Sequence, residues 1–174
     1  MKKILISTLI ITTCFVTTVV AQSAKEKAET LALAFNKEKH KEKVKNGVKT
    51  ETHTVTVSTL DIKNTPAEYA GKYGLQGMSQ CINFQVTADN VLEGAFCSMK
   101  DGKEIKNAVL KDIKIESAFL TATLQHPDGK TEPFEGVFIN RTTNGTRNYG
   151  FGIKQLLSLD NGFTIDKAFF KKSE

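Results

Sequence analysis

Short runs of strand-forming residues, separated by turn residues, fill the chain from Thr50 to Phe170 and constrain its fold most. The run from Glu51 to Leu60 is rich in Thr and Val, which favour β-strands. Further strand-like runs are predicted at 68–73, 80–86, 92–99, 104–110, 113–116, 119–125, 133–140, 147–154, 155–160 and 163–170. Gly, Asn and Asp stand between many of these runs. The pattern predicts a mainly β protein of about eight strands, an antiparallel meander closed as a barrel or folded as a sandwich.

One hairpin of this meander can be placed in register from the sequence. If residues 81–87 and 91–97 pair around a three-residue loop ending in left-handed Asn90, the numbers of opposed residues sum to 178. One face then holds Ile82, Phe84, Val86, Leu92 and Phe96. Cys81 lies opposite Cys97, and opposed Cα atoms about 4.5–5.5 Å apart suit a disulfide. A Cys81–Cys97 disulfide is therefore predicted, with two free cysteines as the alternative.

Residues 1–21 have the pattern of a secretory signal peptide. Lys2 and Lys3 precede an uncharged apolar run from Ile4 to Val20, which ends in small residues. A transmembrane helix is the alternative, but the run is short and no charge cluster follows it at once. We therefore expect an exported protein, periplasmic or extracellular, whose mature chain begins near Gln22 and has no transmembrane span.

Residues 22–46 predict one helix that is first amphipathic and then basic. Ser23 is a suitable N-cap, and Asn46-Gly47 is interpreted as the stop signal. The apolar stripe at helical spacing consists of Ala24, Ala28, Leu31 and Phe35. Residues 37–49 carry six lysines and two glutamates, a net charge of +4 in a chain of net charge +5. Because the positive charge is confined to this segment, we expect no nucleic-acid partner. A solvated, charged helix end and linker is the favoured interpretation, and a weak attraction to anionic envelope polymers or lipid head groups is the alternative.

Several strand and turn stretches resemble a known group of proteins. They are Pro66–Tyr73, Leu110–Ile115, Leu120–Thr123 and Phe134–Arg141. These stretches resemble uncharacterised small secreted bacterial β-barrel proteins of calycin-like build. The resemblance spans roughly residues 66–154 and implies a barrel fold but almost no chemistry. The chain has no Trp, so the Gly-x-Trp of lipocalins and the Trp-lined pocket of avidin-like proteins have no counterpart in it.

No catalytic residue, metal site or cofactor is predicted. The sequence lacks a Gly-x-Ser-x-Gly nucleophile motif, and its Gly-containing stretches do not fit a phosphate-binding loop. The histidines, His40, His53 and His126, are scattered along the sequence and form no zinc-ligand pattern. A hydrolase with an unrecognised site is the least favoured function.

Two groups of residues are candidates for ligand contacts. Arg141 and Arg147 flank the loop 142–146, with Tyr149 close by, and arginine suits the recognition of carboxylate or phosphate. The second group is predicted to face the barrel interior: Phe84, Phe96 and Phe138. A barrel of this size holds one small ligand or is filled by its own side chains. We expect an exported, non-enzymatic binding or interaction module of unknown specificity, with an envelope component as a candidate partner; the alternative is a carrier of a small apolar ligand.

Overall fold

The computed structural model describes residues 22–159, 162 and 164–173. This part of the chain contains one α-helix, α1 (Ala24–Leu33), and ten β-strands. The strands are β1 (Lys37–Lys45), β2 (Val48–Leu60), β3 (Gly71–Leu75), β4 (Gln80–Val86), β5 (Leu92–Lys100), β6 (Lys103–Glu116), β7 (Phe119–Gln125), β8 (Thr131–Thr143), β9 (Thr146–Ser158) and β10 (Thr164–Lys172). One 3₁₀ turn, Pro66–Tyr69, leads from β2 to β3. The predicted signal peptide, residues 1–21, lies outside the described residues.

Eight of the strands close into an antiparallel barrel. The hydrogen-bonded order is β8-β7-β6-β5-β4-β3-β10-β9, and β9 pairs with β8 to complete the ring. The mainly β fold of about eight strands with one helix is thereby confirmed, and the closure is a barrel rather than a sandwich. Two pairs of runs predicted as separate strands form single strands. Strand β6 spans the predicted runs 104–110 and 113–116, and strand β9 spans 147–154 and most of 155–160.

Tight turns of Asn-Gly or Asp-Gly join three pairs of neighbouring strands. Asn46 and Gly47 have φ values of 52° and 76°, and Asn144 and Gly145 have 46° and 86°. Asp101-Gly102 connects β5 to β6 with the same signs of φ. Two positive φ values in succession are the mark of the type I′ turn, whose twist matches that of paired antiparallel strands.

The helix predicted over residues 22–46 is wrong in its second half. Helix α1 ends at Leu33, and Lys37–Lys45 form strand β1, which pairs with β2. The Asn46-Gly47 dipeptide is the turn of this hairpin rather than a helix stop. The segment 37–45 has no apolar stripe that would dock a helix on the barrel, and most helical stability in proteins comes from such docking.

Helix α1 itself begins where the sequence predicts. The hydroxyl of Ser23 accepts a hydrogen bond from the backbone N–H of Glu26 at 3.2 Å, and the Ser23 N–H donates to the Glu26 carboxylate at 2.9 Å. Helix α1 and the turn after it pack on the outside of the barrel through a cluster of Ala28, Ala32, Phe35, Phe119, Val137 and Ile139. The helix therefore covers an apolar patch of the outer barrel wall.

The β4–β5 hairpin has the predicted register. Its opposed residues sum to 178, and Asn90 in the connecting loop has a φ of 58°. Cys81 and Cys97 are bonded, with their Cα atoms 4.9 Å apart, so the predicted disulfide is confirmed. Val86, which the register places on the apolar face, is 37% exposed and lies next to the loop that connects β4 to β5.

Strands β1 and β2 form a hairpin that extends away from the barrel. Strand β2 pairs with β8 through residues 56–60, opposite residues 139–143. The last contact with the β8–β9 turn is made by Val55, whose N–H donates to Asn144 Oδ1 at 3.2 Å. From residue 54 to the hairpin tip, β2 pairs only with β1 among the described strands. We call residues 37–55 the arm.

Candidate functional site

The register of the arm sorts its charges onto two faces. Lys37 lies opposite Thr56 and Lys45 opposite Val48, and the pairs between them follow in step. Because successive side chains of a strand point to opposite faces, every second pair shares a face. One face therefore consists of Lys37, Lys39, Lys41, Lys43 and Lys45 together with Val48, Thr50, Thr52, Thr54 and Thr56. We call this set the lysine face; it contains no acidic residue.

The five lysines of this face are exposed along the whole of β1. Within residues 22–159, 162 and 164–173, none of them forms an ion pair. Neighbouring lysines are two strand residues apart, about 6.7 Å. Uncompensated like charges at this spacing repel one another, so the array does not stabilise the fold.

The opposite face of the arm carries three acidic residues and one lysine, a net charge of −2 with neutral histidines. It carries Glu38, His40, Glu42, Lys49, Glu51 and His53. Lys49 Nζ lies 2.7 Å from Glu51 and 3.1 Å from Glu42, and these two hydrogen-bonded carboxylates raise the pKa of Lys49. His53 Nε2 lies 2.6 Å from Glu38 Oε1. Positive charge without a counter-charge is thus confined to one side of the arm.

Arg141, on the outer wall of the barrel, lies on the same side of the sheet as the lysine face, with the buried residues Thr56 and Ser58 between them. The β2–β8 register places Arg141 opposite Ser58, and Ser58 lies on the same face of β2 as the threonines of the lysine face. The Arg141 guanidinium lies over the ring of Phe169, 4.5 Å from its centroid. Its Nε atom is buried without a hydrogen-bond partner among the described residues. Burial lowers the pKa of Arg141, but an arginine remains charged at any physiological pH.

A groove of about 760 Å³ lies beside Arg141. Its polar lining consists of Gln76, Arg141, Thr143, Asn148, Lys171, Lys172 and Ser173, without an acidic residue. Burial is the main cause that lowers the pKa of Lys172, whose Nζ donates to the Glu68 carbonyl at 3.2 Å. The groove, which we call the Arg141 groove, therefore offers cationic and hydroxyl groups to an anion.

The structure does not bring Arg141 and Arg147 together. Arg141 pairs with Asn148, whereas Arg147 pairs with Thr142. The two arginines therefore point to opposite faces of the β8–β9 hairpin. Only Arg141 shares a face with the lysines, and a ligand-binding role for Arg147 stays a prediction.

Tyr149 lies at the rim of the barrel, in a polar cluster of its own. Lys63 Nζ is 5.4 Å from the centre of the Tyr149 ring and 2.8 Å from Asp61 Oδ1. The hydrogen bond that the Lys63 ammonium donates to the Asp61 carboxylate is the main cause that raises the pKa of Lys63. The hydroxyl of Tyr69 accepts a hydrogen bond from the Lys63 N–H at 2.8 Å. Tyr149 is 43% exposed, so its ring is accessible from outside.

The three candidate phenylalanines are in the barrel interior, as predicted. Phe84, Phe96 and Phe138 are each at most 1% exposed. The ring centroids of Phe84 and Phe138 are 5.4 Å apart, and those of Phe96 and Phe134 are 5.5 Å apart. Phe151 lies 4.7 Å from Phe138, so neighbouring rings fill the space that these side chains face.

In the described part of the chain, one group of three side chains has the mutual closeness that a metal site needs. There, one set of three ligand atoms lies within 4.8 Å of one another, from Cys81, Cys97 and Glu104. The two sulfurs form the disulfide, so neither is available as a thiolate. The hairpin register also places His40 opposite His53, with ring centroids 6.2 Å apart, although the two are distant in sequence. Sequence reasoning missed this pair because it assigned His40 to a helix.

Comparisons of the chain with protein-family models, with curated proteins and with solved structures find no match. The resemblance to calycin-like secreted proteins therefore stays a prediction. Among the described residues, no helix has the length and apolar character needed to cross a membrane.

Sequence reasoning also missed the lysine face. The signal that would have revealed it is the run Lys37–Lys45, in which lysine occupies every second position. A period of two is a strand period, and Asn46-Gly47 after it is a hairpin signal. Read together, the two features predict an exposed hairpin with one cationic face.

Proposed function

We propose that the protein is an exported, non-enzymatic binding module that attaches to an anionic component of the cell envelope through the lysine face. One observation carries this proposal: five exposed lysines occupy one face of a projecting hairpin, with no acidic residue among them. Uncompensated charge attracts an oppositely charged partner and speeds encounter with it.

The arm has little other structural use. All nine residues of β1 are exposed, and none of them belongs to either apolar cluster of the protein. Lysine is common on edge strands, where it discourages pairing with other chains. That need does not select one face, whereas the lysines of β1 are all on one face and the glutamates on the other.

The packed barrel interior is the reason for preferring this function to a small-molecule carrier. A carrier needs a connected apolar cavity, typically of several hundred Å³. Phe84, Phe138 and Phe151 instead contact one another in the interior. The barrel then acts as a rigid support for the arm.

Two features support export as part of the proposal. The sequence predicts a signal peptide, and the Cys81–Cys97 disulfide is typical of oxidising compartments. Intact-mass analysis of the protein recovered from its own organism should give a chain that begins at Gln22. A recovered chain that still begins at Met1 contradicts export with cleavage.

The attachment itself is tested by co-sedimentation of the mature protein with the envelope fraction of its own organism. The test variant changes Lys39, Lys41 and Lys43 to Gln. We expect its retention by the envelope fraction to fall at least about tenfold, because three charge contacts are lost. Circular dichroism and thermal melting should match those of the unchanged protein, since these side chains are exposed and unpaired.

A matched control changes three exposed lysines of β6 to Gln: Lys103, Lys111 and Lys114. It has the same net charge as the test variant but an intact lysine face. We expect it to be retained nearly as well as the unchanged protein. Equal losses in the two variants, or no loss in the test variant, would show that the lysine face is not the attachment surface.

A further inference from the structure

We propose that the ligand of the lysine face is a linear phosphodiester polymer without bases, such as a chain of glycerol phosphates, lying along strand β1 with one phosphate at each lysine. This inference rests on the proposed function and specifies its ligand class. It requires that the spacing of the lysines match the spacing of charge in the polymer.

The two spacings agree. Neighbouring lysines of β1 are two residues apart, which corresponds to about 6.7 Å along the strand. A glycerol-phosphate chain repeats every six backbone bonds, from one phosphorus to the next. Six extended backbone bonds correspond to two residues of a polypeptide, about 6.6–7.2 Å. Five successive phosphates can therefore each meet one lysine over the length of β1.

The composition of the face distinguishes this ligand from two other polyanions. Proteins that bind single-stranded nucleic acid stack its bases on aromatic side chains, and the lysine face contains no aromatic residue. Hairpins and helices that lie on membranes insert large apolar side chains, and this face offers only Val48. The opposed threonines, Thr50 and Thr52, instead supply exposed hydroxyls that donate hydrogen bonds to phosphate oxygens.

Arg141 extends the row of cations onto the barrel. In the strand register, Arg141 lies two strands across the sheet from Lys37 and two residues further along the strand direction. This corresponds to about 12 Å between their Cα atoms. Its guanidinium is held on Phe169 and has no carboxylate partner among the described residues. A planar guanidinium in that position offers two parallel hydrogen bonds to one phosphate. Lys171, in the same groove, adds a second charge.

The test measures binding of end-labelled glycerol-phosphate oligomers of increasing length to the mature protein by fluorescence anisotropy. We expect affinity to rise with each added phosphate up to five or six, and then to level off. For five contacts, the slope of log affinity against log salt should be about −3.5. A smooth rise with length beyond ten phosphates, or a slope near zero, would overturn the inference.

A permuted variant separates the row of lysines from net charge. It exchanges neighbours within β1 by the substitutions Glu38→Lys, Lys39→Glu, Lys41→Glu and Glu42→Lys. Composition and net charge are unchanged, and all four positions are exposed. We expect the affinity for the oligomers to fall more than about tenfold and the salt slope to fall to about −0.7. Unchanged affinity in this variant would overturn the inference.

Two further ligands serve as competitors of equal charge. A single-stranded oligonucleotide with the same number of phosphates should bind no more tightly than the glycerol-phosphate oligomer, and vesicles containing anionic lipid should bind more weakly per charge. Tighter binding of either would overturn the inference in favour of that ligand.

If the oligomers fail to bind while envelope retention still depends on Lys39, Lys41 and Lys43, the ligand class is wrong and the proposed function stands. If that dependence is also absent, both are wrong.

Discussion

Two glycines leave the space in which aromatic rings pack against the barrel wall. A Cβ atom on Gly136 would overlap the ring of Phe151, which fills the interior. A Cβ atom on Gly152 would lie 2.6 Å from the Phe35 ring, on the outer face. The two glycines thus admit one aromatic ring inside the barrel and one outside. The sequence shows glycines within predicted strands but not which ring each of them meets.

We expect Gly136→Ala to lower the free energy of unfolding by about 2–3 kcal/mol, because the added methyl group displaces the Phe151 ring in a packed interior. Gly74→Ala is the matched control: Gly74 is also a strand residue, but a Cβ atom on it meets nothing within 4 Å. Urea denaturation should leave that variant within about 0.5 kcal/mol of the unchanged protein. Equal effects of the two substitutions would show that the interior near Gly136 is not packed as described.

Among the secondary-structure elements, the two hairpins differ in how well the sequence predicts them. The β4–β5 hairpin is predicted in register, because apolar alternation and the Cys81–Cys97 pair point to the same pairing. Most of strand β2 is predicted, but its pairing with β1 is missed, because β1 has only Val44 as an apolar residue and no alternation that would reveal a buried face. Charged residues at every second position give only a weak signal for a strand, and alternation of Lys and Glu also suits a solvated helix.

The disulfide joins the ends of a hairpin that is already paired by strand hydrogen bonds. We expect the Cys81→Ser, Cys97→Ser double variant to fold and to lose less than about 3 kcal/mol of unfolding free energy, the limit set by loop-closure entropy. Urea denaturation of the variant and of the unchanged, unreduced protein gives this difference. Titration of the denatured, unreduced mature protein should find no free thiol at Cys81 or Cys97. Two free thiols, or a variant that fails to fold, would contradict this account of the hairpin.

The whole molecule consists of a barrel and an arm that differ in composition. The barrel holds almost all of the buried apolar and aromatic residues, whereas the arm holds most of the excess positive charge. The sequence alone gives the fold class and the location of this charge in residues 37–49. It does not show that the lysines lie on one face and the glutamates on the other, because the residues that share a face differ between a helix and a strand. The predicted arginine pair fails to converge for the same reason, because the β8–β9 register places Arg141 and Arg147 on opposite faces.

Whether the lysine face is the binding surface is tested by an amide NMR titration of the isotope-labelled mature protein with a glycerol-phosphate oligomer of five repeats. Binding at the lysine face should give chemical-shift changes concentrated in β1 and in residues 50–56 of β2, with smaller changes near Arg141. Changes centred on the barrel rim near Tyr149 and Arg147, or spread evenly over exposed lysines throughout the molecule, would contradict it.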